Sequence, residues 1–470
     1  MGVMCCPLLS CVEGNPPEPP EFPPLTQEQR DEREKDFVSS IDGEAVCALA
    51  SRYNCQKPCR IVKSARGGFN VCFFVDFDTP GMTWVVRIPI EPAIHDAWSK
   101  LQSEVVTMRY IQNKTKIPVP HIHAYGRSQL SKNDSTMQAF LIIDCIPGRS
   151  FDIKTLLEGT DECRNHFYSD LIDIFVQLRK LEFPASGSLM PDPEGGPEPV
   201  VGNLLSTTTN ELQLQGRRAP QLAVTSATQF AEQQYQLLSE SYRTIVEELW
   251  RQTAEQELFA LDSLAKQMPE VVDSSRDGGP FVLTHTDLRC ANIIVDDDFH
   301  IRGIIDWEWA STVPRQFFTP PTWITGHDRE ALCGVWQDLY PDFRSVLETK
   351  SRASRDYDQL LGDWDFPQKL TLPVAHIFSH PSSLVLVFYK FIYPELFRES
   401  REKVVPEFFS NDENEALALE AQRRIDRSER YTQYLKDNGL FVVDEYSQKL
   451  SEWLARGREL CQKLDWCKPE

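Results

Sequence analysis

His285, Asp287 and Asn292 form an H-x-D-x4-N run, and Asp306 follows fourteen residues after Asn292. Phosphoryl transfer needs a carboxylate that orients a hydroxyl and accepts its proton. It also needs hard oxygen ligands for Mg²⁺, which neutralises charge between the phosphates. Asp287 suits the first role, and Asn292 with Asp306 suits the second. The run alone arises by chance in roughly a few per cent of chains this long, so its setting decides its meaning. Residues 281–284 predict a short strand entering the loop that His285 opens. Residues 293–295 and 301–305 predict a hairpin that brings Asn292 and Asp306 together. The acidic stretch 296–298 falls in the hairpin turn, which places it in solvent.

Other elements must position this loop. Residues 60–63, 71–77 and 83–88 read as three strands. Gly67-Gly68-Phe69-Asn70 separates the first two, and Thr79-Pro80-Gly81, with turn chemistry, separates the second from the third. An antiparallel meander follows. By itself Gly67-Gly68 asks for no more than a hairpin turn. Ile94, Trp98, Leu101, Val105, Met108 and Ile111 recur at intervals of three and four, the stripe of an amphipathic helix. Glu104 borders that stripe, where a carboxylate needs a cation. Arg87, at the end of the third strand, is the candidate; a plain surface arginine is the alternative. Residues 117–120 end the helix, 140–143 form another strand, and 144–148 are a tight connector. Beyond Gly148 the texture turns helical over 161–181. A Pro- and Gly-rich loop spans 184–203, a long and interrupted helical stretch covers 229–268, and helices dominate from Trp336 onward. The fold class is α+β in two lobes. Its parts are a proline-rich tail (1–25), a β-rich lobe (26–147) and a mainly helical lobe (148–470). Thr26 and Gln29 form a capping box for a charged helix reaching about residue 40.

The chain has 470 residues, 41% hydrophobic, long enough for a large core. Its net charge of −21 argues against a broad nucleic-acid surface. No apolar run reaches the length of a membrane span, so no stable membrane insertion is expected. Thirteen scattered cysteines without a CxxC fit reduced thiols in a cytoplasmic protein. The six prolines of 13–24 make an extended tail. Gly2 could be exposed for acylation, but Cys6 stands where Ser or Thr is usual. Two readings stand for Glu308: a contact to substrate or metal, and a surface or capping role. Trp307, Trp309 and Trp323 either line a cleft or fill the core. His285 suits an organiser of its loop better than a proton carrier.

With these motifs in order, the chain resembles the aminoglycoside phosphotransferase family, small-molecule kinases with a protein-kinase-like fold. The resemblance is narrowest to fungal members with segments like Gly67–Asn70, Val85–Pro89, Ser103–Tyr110, Ile117–Pro120 and Phe318–Trp323. It covers about residues 40–460. It implies ATP and Mg²⁺ as cofactors and a small hydroxylated metabolite as acceptor. Asp287 would be the catalytic carboxylate, with Asn292 and Asp306 holding magnesium. Gly67, Gly68, Phe69 and Asn70 would cover the phosphates. The backbone of Asp144 and Ile146 would meet adenine, and Glu104 would pair with Arg87. Arg87 departs from the wider pattern, which has Lys there, and its planar fork fits phosphate differently from an ammonium. A nucleotide-binding pseudokinase is therefore the competing reading. A protein kinase is a weaker one, because Trp307-Glu308 follows Asp306 and no Ala-Pro-Glu segment ends an activation loop.

Overall fold

The computed structural model describes residues 22–78, 81–132, 135–327, 339–365 and 370–442. Residues 1–21 and the end of the chain lie outside the described residues, as do Thr79-Pro80 and the start of the helical region at Trp336. The acylation reading and most of the proline-rich tail fall there. The chain forms two compact units: one from the chain up to Arg243 with Ala260–Ser400, the other from Thr244–Phe259 and the chain from Arg401 onward.

In the first unit, helix α1 (Gln27–Ser40) begins with the Thr26/Gln29 capping box. Helix α2 (Gly43–Tyr53) follows. Strands β1 (Cys59–Arg66), β2 (Asn70–Phe77) and β3 (Thr83–Pro89) are the expected meander, and helix α3 (Ala97–Lys114) succeeds them. Strands β4 (Ile122–Ser128) and β5 (Gln138–Asp144) complete an antiparallel sheet of order β1-β2-β3-β5-β4. β4 is one strand more than the sequence pattern suggests.

Alternation along the strands decides what each sheet face does. Val71, Val75 and Phe77 of β2, with Trp84, Val86 and Ile88 of β3, pack with Val46, Leu49 and Ala50 of α2 into one core. The intervening Cys72, Phe74, Val85 and Arg87 line a cleft instead. The register places Cys72 opposite Arg87. A one-residue slip would bury the arginine in the α2 core, so the apolar alternation fixes the site as well as the fold.

Strand β6 (Arg149–Ser150), helices α4 (Ile153–Glu158) and α5 (Asp161–Arg179), and strand β7 (Glu182–Phe183) come next. The 184–203 region contains only the two-residue strands β8 (Leu189–Met190) and β9 (Val200–Val201). Helices α6 (Thr207–Leu214), α7 (Ala227–Tyr242) and α8 (Arg251–Val271) follow, the last two being the interrupted stretch. Strand β10 (Phe281–Thr284) pairs with β7 and with the later β13 (Ser311–Pro314). Strands β11 (Ile293–Val295) and β12 (Ile301–Ile304) form the hairpin, and β11 also pairs with β6. Gly148 makes that last pairing possible. Its φ is +136°, and a Cβ there would stand 2.6 Å from the Val295 carbonyl oxygen.

In the second unit, helices Arg401–Ser410 and Glu415–Asp437 join the start of α8. Arg424 pairs with Glu257, and the Thr432 and Ser428 hydroxyls accept the Glu248 and Leu249 N–H groups at 2.9 and 2.8 Å.

Candidate active site

The loop between β10 and β11 is organised by His285. Its Nε2 lies 2.9 Å from the Ile305 carbonyl, and its Nδ1 accepts the Asp287 N–H at 3.3 Å. Accepting at Nδ1 while Nε2–H donates is the neutral tautomer. Burial lowers the imidazole pKa, which favours the same form. Asn292 donates its amide to the Asp287 carbonyl at 2.9 Å, and the Ile305 N–H donates to the Asn292 carbonyl at 3.0 Å. The second bond ties the two ends of the β11–β12 hairpin together, so Asn292 and Asp306 belong to one corner. Asp306 stands there at φ 71°, a left-handed conformation costly for most residues and least so for Asn and Asp after Gly. The Asp296 carboxylate closes the hairpin turn on its own backbone, accepting the Asp298 and His300 N–H groups.

Arg87 is buried and faces three acids. Its Nη1 donates to Glu104, its Nη2 donates to Asp306 Oδ1 at 2.6 Å, and Glu308 Oε2 lies 3.4 Å from Nη2. Glu104 is thus the arginine's partner, and the surface-arginine alternative falls. Burial drives the Glu104 carboxyl up, against the pull of Arg87 and Lys100. Burial also acts to raise Asp306, but Arg87, Lys100 and His285 outweigh it and hold that carboxyl below its usual range. Asp287 is raised by burial, while Arg289, with Nε 3.2 Å from Oδ2, draws it back.

Three residues of this centre carry more than the sequence pattern reveals. Lys100, one turn before Glu104 on α3, is only 1% exposed and pairs with Glu308. Glu308 is itself 4% exposed, which rules out a surface role. Asn70 donates its side-chain amide to Glu308 Oε2 at 2.5 Å. The Phe69 ring meets Trp309 edge-on, 5.1 Å between centroids, and Lys100 Nζ lies 5.3 Å over the Trp309 ring. Phe69 and Asn70 therefore fasten the glycine turn to the Glu308-Trp309 segment. Trp307 and Trp323 are core residues, donating to the Ile304 and Leu288 carbonyls, whereas Trp309 borders the cleft. Trp98 is half-buried rather than on the buried stripe of α3, stacking on Tyr125.

Arg87, Asp287, Arg289, Asp306, Glu308 and Trp309 line one cleft of about 820 Å³, whereas Glu104, Lys100, His285 and Asn292 are buried and support it without lining it. One wall is Gly67, Gly68, Phe69 and Asn70; another holds Asp287, Asp306 and Glu308; Asp144, Cys145 and Ile146 close the hinge end. A Cβ at Gly68 would meet nothing within 4 Å, so no steric clash demands glycine at that position. The Asp144 N–H donates to the His121 carbonyl and the Cys145 N–H to Thr83, which fixes the connector to the sheet. Among the described residues no group of three or more His, Cys, Asp or Glu could hold a metal. A cation here would use the Asn292 amide oxygen and the Asp306 carboxylate. Both are hard donors suited to Mg²⁺, and nucleotide phosphates and water would complete the shell. The described cysteines are free thiols, and no described helix is long and apolar enough to cross a membrane.

Residues 62–317 match the family model of the phosphotransferase enzyme family, APH. The chain belongs to that family. A subtelomeric hrmA-associated cluster protein of Aspergillus fumigatus is 32% identical over 136 residues, 27% of this chain and 24% of that protein. Clavilactone A biosynthesis cluster protein Y of Ampulloclitocybe clavipes is 24% identical over 255 residues, 52% of this chain and 59% of that one. The chain thus spans less than two thirds of either relative. An ethanolamine kinase of Plasmodium vivax superposes with a TM-score of 0.44 at 15% identity, covering 79% of this chain and 92% of that one.

Proposed function

We propose that the protein transfers the γ-phosphate of ATP to a hydroxyl of a small molecule, working in the cytoplasm. The observation that carries this reading is that Asp287 and Asp306 line one cleft together with the glycine turn, while the buried Asn292 is tied to both corners through the Asp287 carbonyl and the Ile305 N–H. Asp287 accepts the acceptor's hydroxyl proton as the acceptor oxygen bonds to the γ-phosphorus. The bond from that phosphorus to the β–γ bridging oxygen breaks, and ADP leaves with the electron pair. Mg²⁺, when bound, supplies positive charge between the phosphates. Asn292 and Asp306 hold it, Arg87 steadies the phosphates from the sheet, and Gly67–Asn70 cover them. The backbone of Asp144 and Ile146 receives the base, at the boundary between lobes 26–147 and 148–470. His285 keeps Asp287 and the Ile305–Asp306 corner in register.

One observation favours nucleotide binding without turnover: Arg87 stands where the wider pattern has Lys, and its planar fork is held by Glu104 and Asp306 rather than free to follow the phosphates through the transfer. One experiment separates the readings. Mg-ATP binding is measured by calorimetry, and ADP formation is followed with a panel of hydroxylated metabolites and mass detection of phosphorylated product. Transfer is expected, and Asp287→Asn should lower turnover on the order of 10²-fold or more while Mg-ATP binding persists. Binding with no transfer to any acceptor would establish the pseudokinase. An Asp287→Asn enzyme as active as the wild type would remove the catalytic assignment.

A further inference from the structure

The cleft continues past Asp287 into a second region. β10 leads straight into the catalytic loop, and β13 lies beside it, Thr284 opposite Ser311 and Val282 opposite Val313. Ser311 and Val313, two residues apart and so on one face of β13, both line the cleft. So do Phe230 and Gln234, one turn apart on α7, and Phe378 and Ser379 at the end of the helix Thr371–Ser379. Phe317 joins the two helices: its ring lies 5.2 Å from Phe230 and 6.1 Å from Phe378, centroid to centroid. The three rings make a continuous aromatic wall, extended by Leu204, Val313 and Ala375.

The polar groups of this region are mostly neutral: Ser206, Thr207, Thr208, Gln234 and Ser379, with His380 at its end. Among the described lining residues the carboxylates are Asp144, Asp287, Asp306 and Glu308. Asp306 and Glu308 are committed to Arg87 and Lys100, and Asp144 accepts His123 at the hinge end, 2.6 Å away. Asp287 alone remains for the acceptor, and Arg289 stands beside it. A polycationic acceptor needs several carboxylates to offset the loss of its hydration, and an aromatic wall offers none. An apolar body gains by leaving water against the same wall.

Resting on the phosphotransferase reading, we propose that the acceptor is a neutral molecule with an apolar, ring-sized or larger body and a free hydroxyl. Its body lies against Phe230, Phe317 and Phe378, and its hydroxyl reaches Asp287. The full-length protein, loaded with Mg²⁺ and a non-hydrolysable ATP analogue, is titrated with 2-phenylethanol, 2-naphthaleneethanol and farnesol, and separately with kanamycin and ethanolamine. The neutral alcohols should bind, more tightly as the apolar body grows, and kanamycin at least tenfold more weakly than the best of them. Phe317→Ser and Phe378→Ser should each weaken the alcohols about tenfold or more while leaving nucleotide affinity unchanged. Equal or tighter binding of kanamycin would overturn the proposal, as would binding of neither class or alcohol affinities indifferent to both substitutions. Transfer is assayed beside binding with ATP. Alcohols that bind without being phosphorylated sink the catalytic reading and leave the pocket assignment standing. Phosphorylation confined to the amines sinks the pocket assignment and leaves the catalytic reading standing.

Discussion

The Lys100 ammonium and the Glu308 carboxylate meet in the interior across 208 residues of chain, joining helix α3 to the segment just after Asp306. The contact also gathers the glycine turn, because Asn70 donates to the same carboxylate oxygen. Removing one member leaves a buried charge without its counterion, which costs about 3–5 kcal/mol; removing both costs much less. Lys100→Met and Glu308→Gln should each lower the denaturant midpoint strongly. The double variant should be less destabilised than the sum of the two, a coupling that unfolding measurements on all four proteins read directly. Strict additivity would mean that the two side chains do not meet.

Arg87 spans Glu104 and Asp306 with two nitrogens of one planar group, which a lysine cannot do. Arg87→Lys should therefore keep Mg-ATP binding within about tenfold but cost about 1–3 kcal/mol of stability, the worth of a charge-assisted hydrogen bond. Arg87→Ala should cost more and weaken nucleotide binding as well. Calorimetry and denaturation on the same preparations check both. An Arg87→Lys protein as stable as the wild type would show that the fork is not used.

His376 gives a pH signature apart from the cleft. It is buried, neither ring nitrogen has a hydrogen-bond partner, and burial, aided by the neighbouring His380 and His327, pushes its pKa down to about 3. A folded-state value below the unfolded 6.5 means that the unfolded chain takes up the proton first. The stability it contributes is thus complete above about pH 6.5 and lost as pH falls towards 3. His376→Leu should remove that part of the acid limb, on the order of 2 kcal/mol by pH 4.5 relative to pH 7. Parallel stability profiles for wild type and variant would contradict the assignment.

Much of the site is legible in local pattern. The H-x-D-x4-N run, the hairpin to Asp306 and the meander ending in Arg87 all depend on near neighbours and on period-two alternation. Glu104 is legible because an acid beside an apolar stripe demands a partner. Lys100 is not, because a lysine in an amphipathic helix reads as solvated, and its partner lies far along the chain. Glu308 stays ambiguous for the same reason: it could serve a surface, and only the fold brings Arg87 and Lys100 to face it. Strand β4 escapes because its Gly126 and Arg127 interrupt the alternation, and its pairing with β5 supplies the order that propensity does not. The acceptor wall is assembled from α7, the turn Arg315–Phe317 that follows β13, and the helix Thr371–Ser379, whose aromatic residues look like ordinary core until they are seen side by side.

Gly303, on strand β12, lies directly beneath Ile146 of the hinge connector: a Cβ there would fall 2.1 Å from Ile146 Cδ1. The absent methyl therefore sets how deep the isoleucine seats, and with it the headroom of the cleft that Ile146 lines. Gly303→Ala would lift that side chain toward the space where a purine would rest. The chain thus carries a natural bump-and-hole position. Enlarging residue 303 while trimming Ile146 to alanine would reshape this end of the cleft from below without altering any charged group of the centre, which is the change that tests the proposed seat of the base.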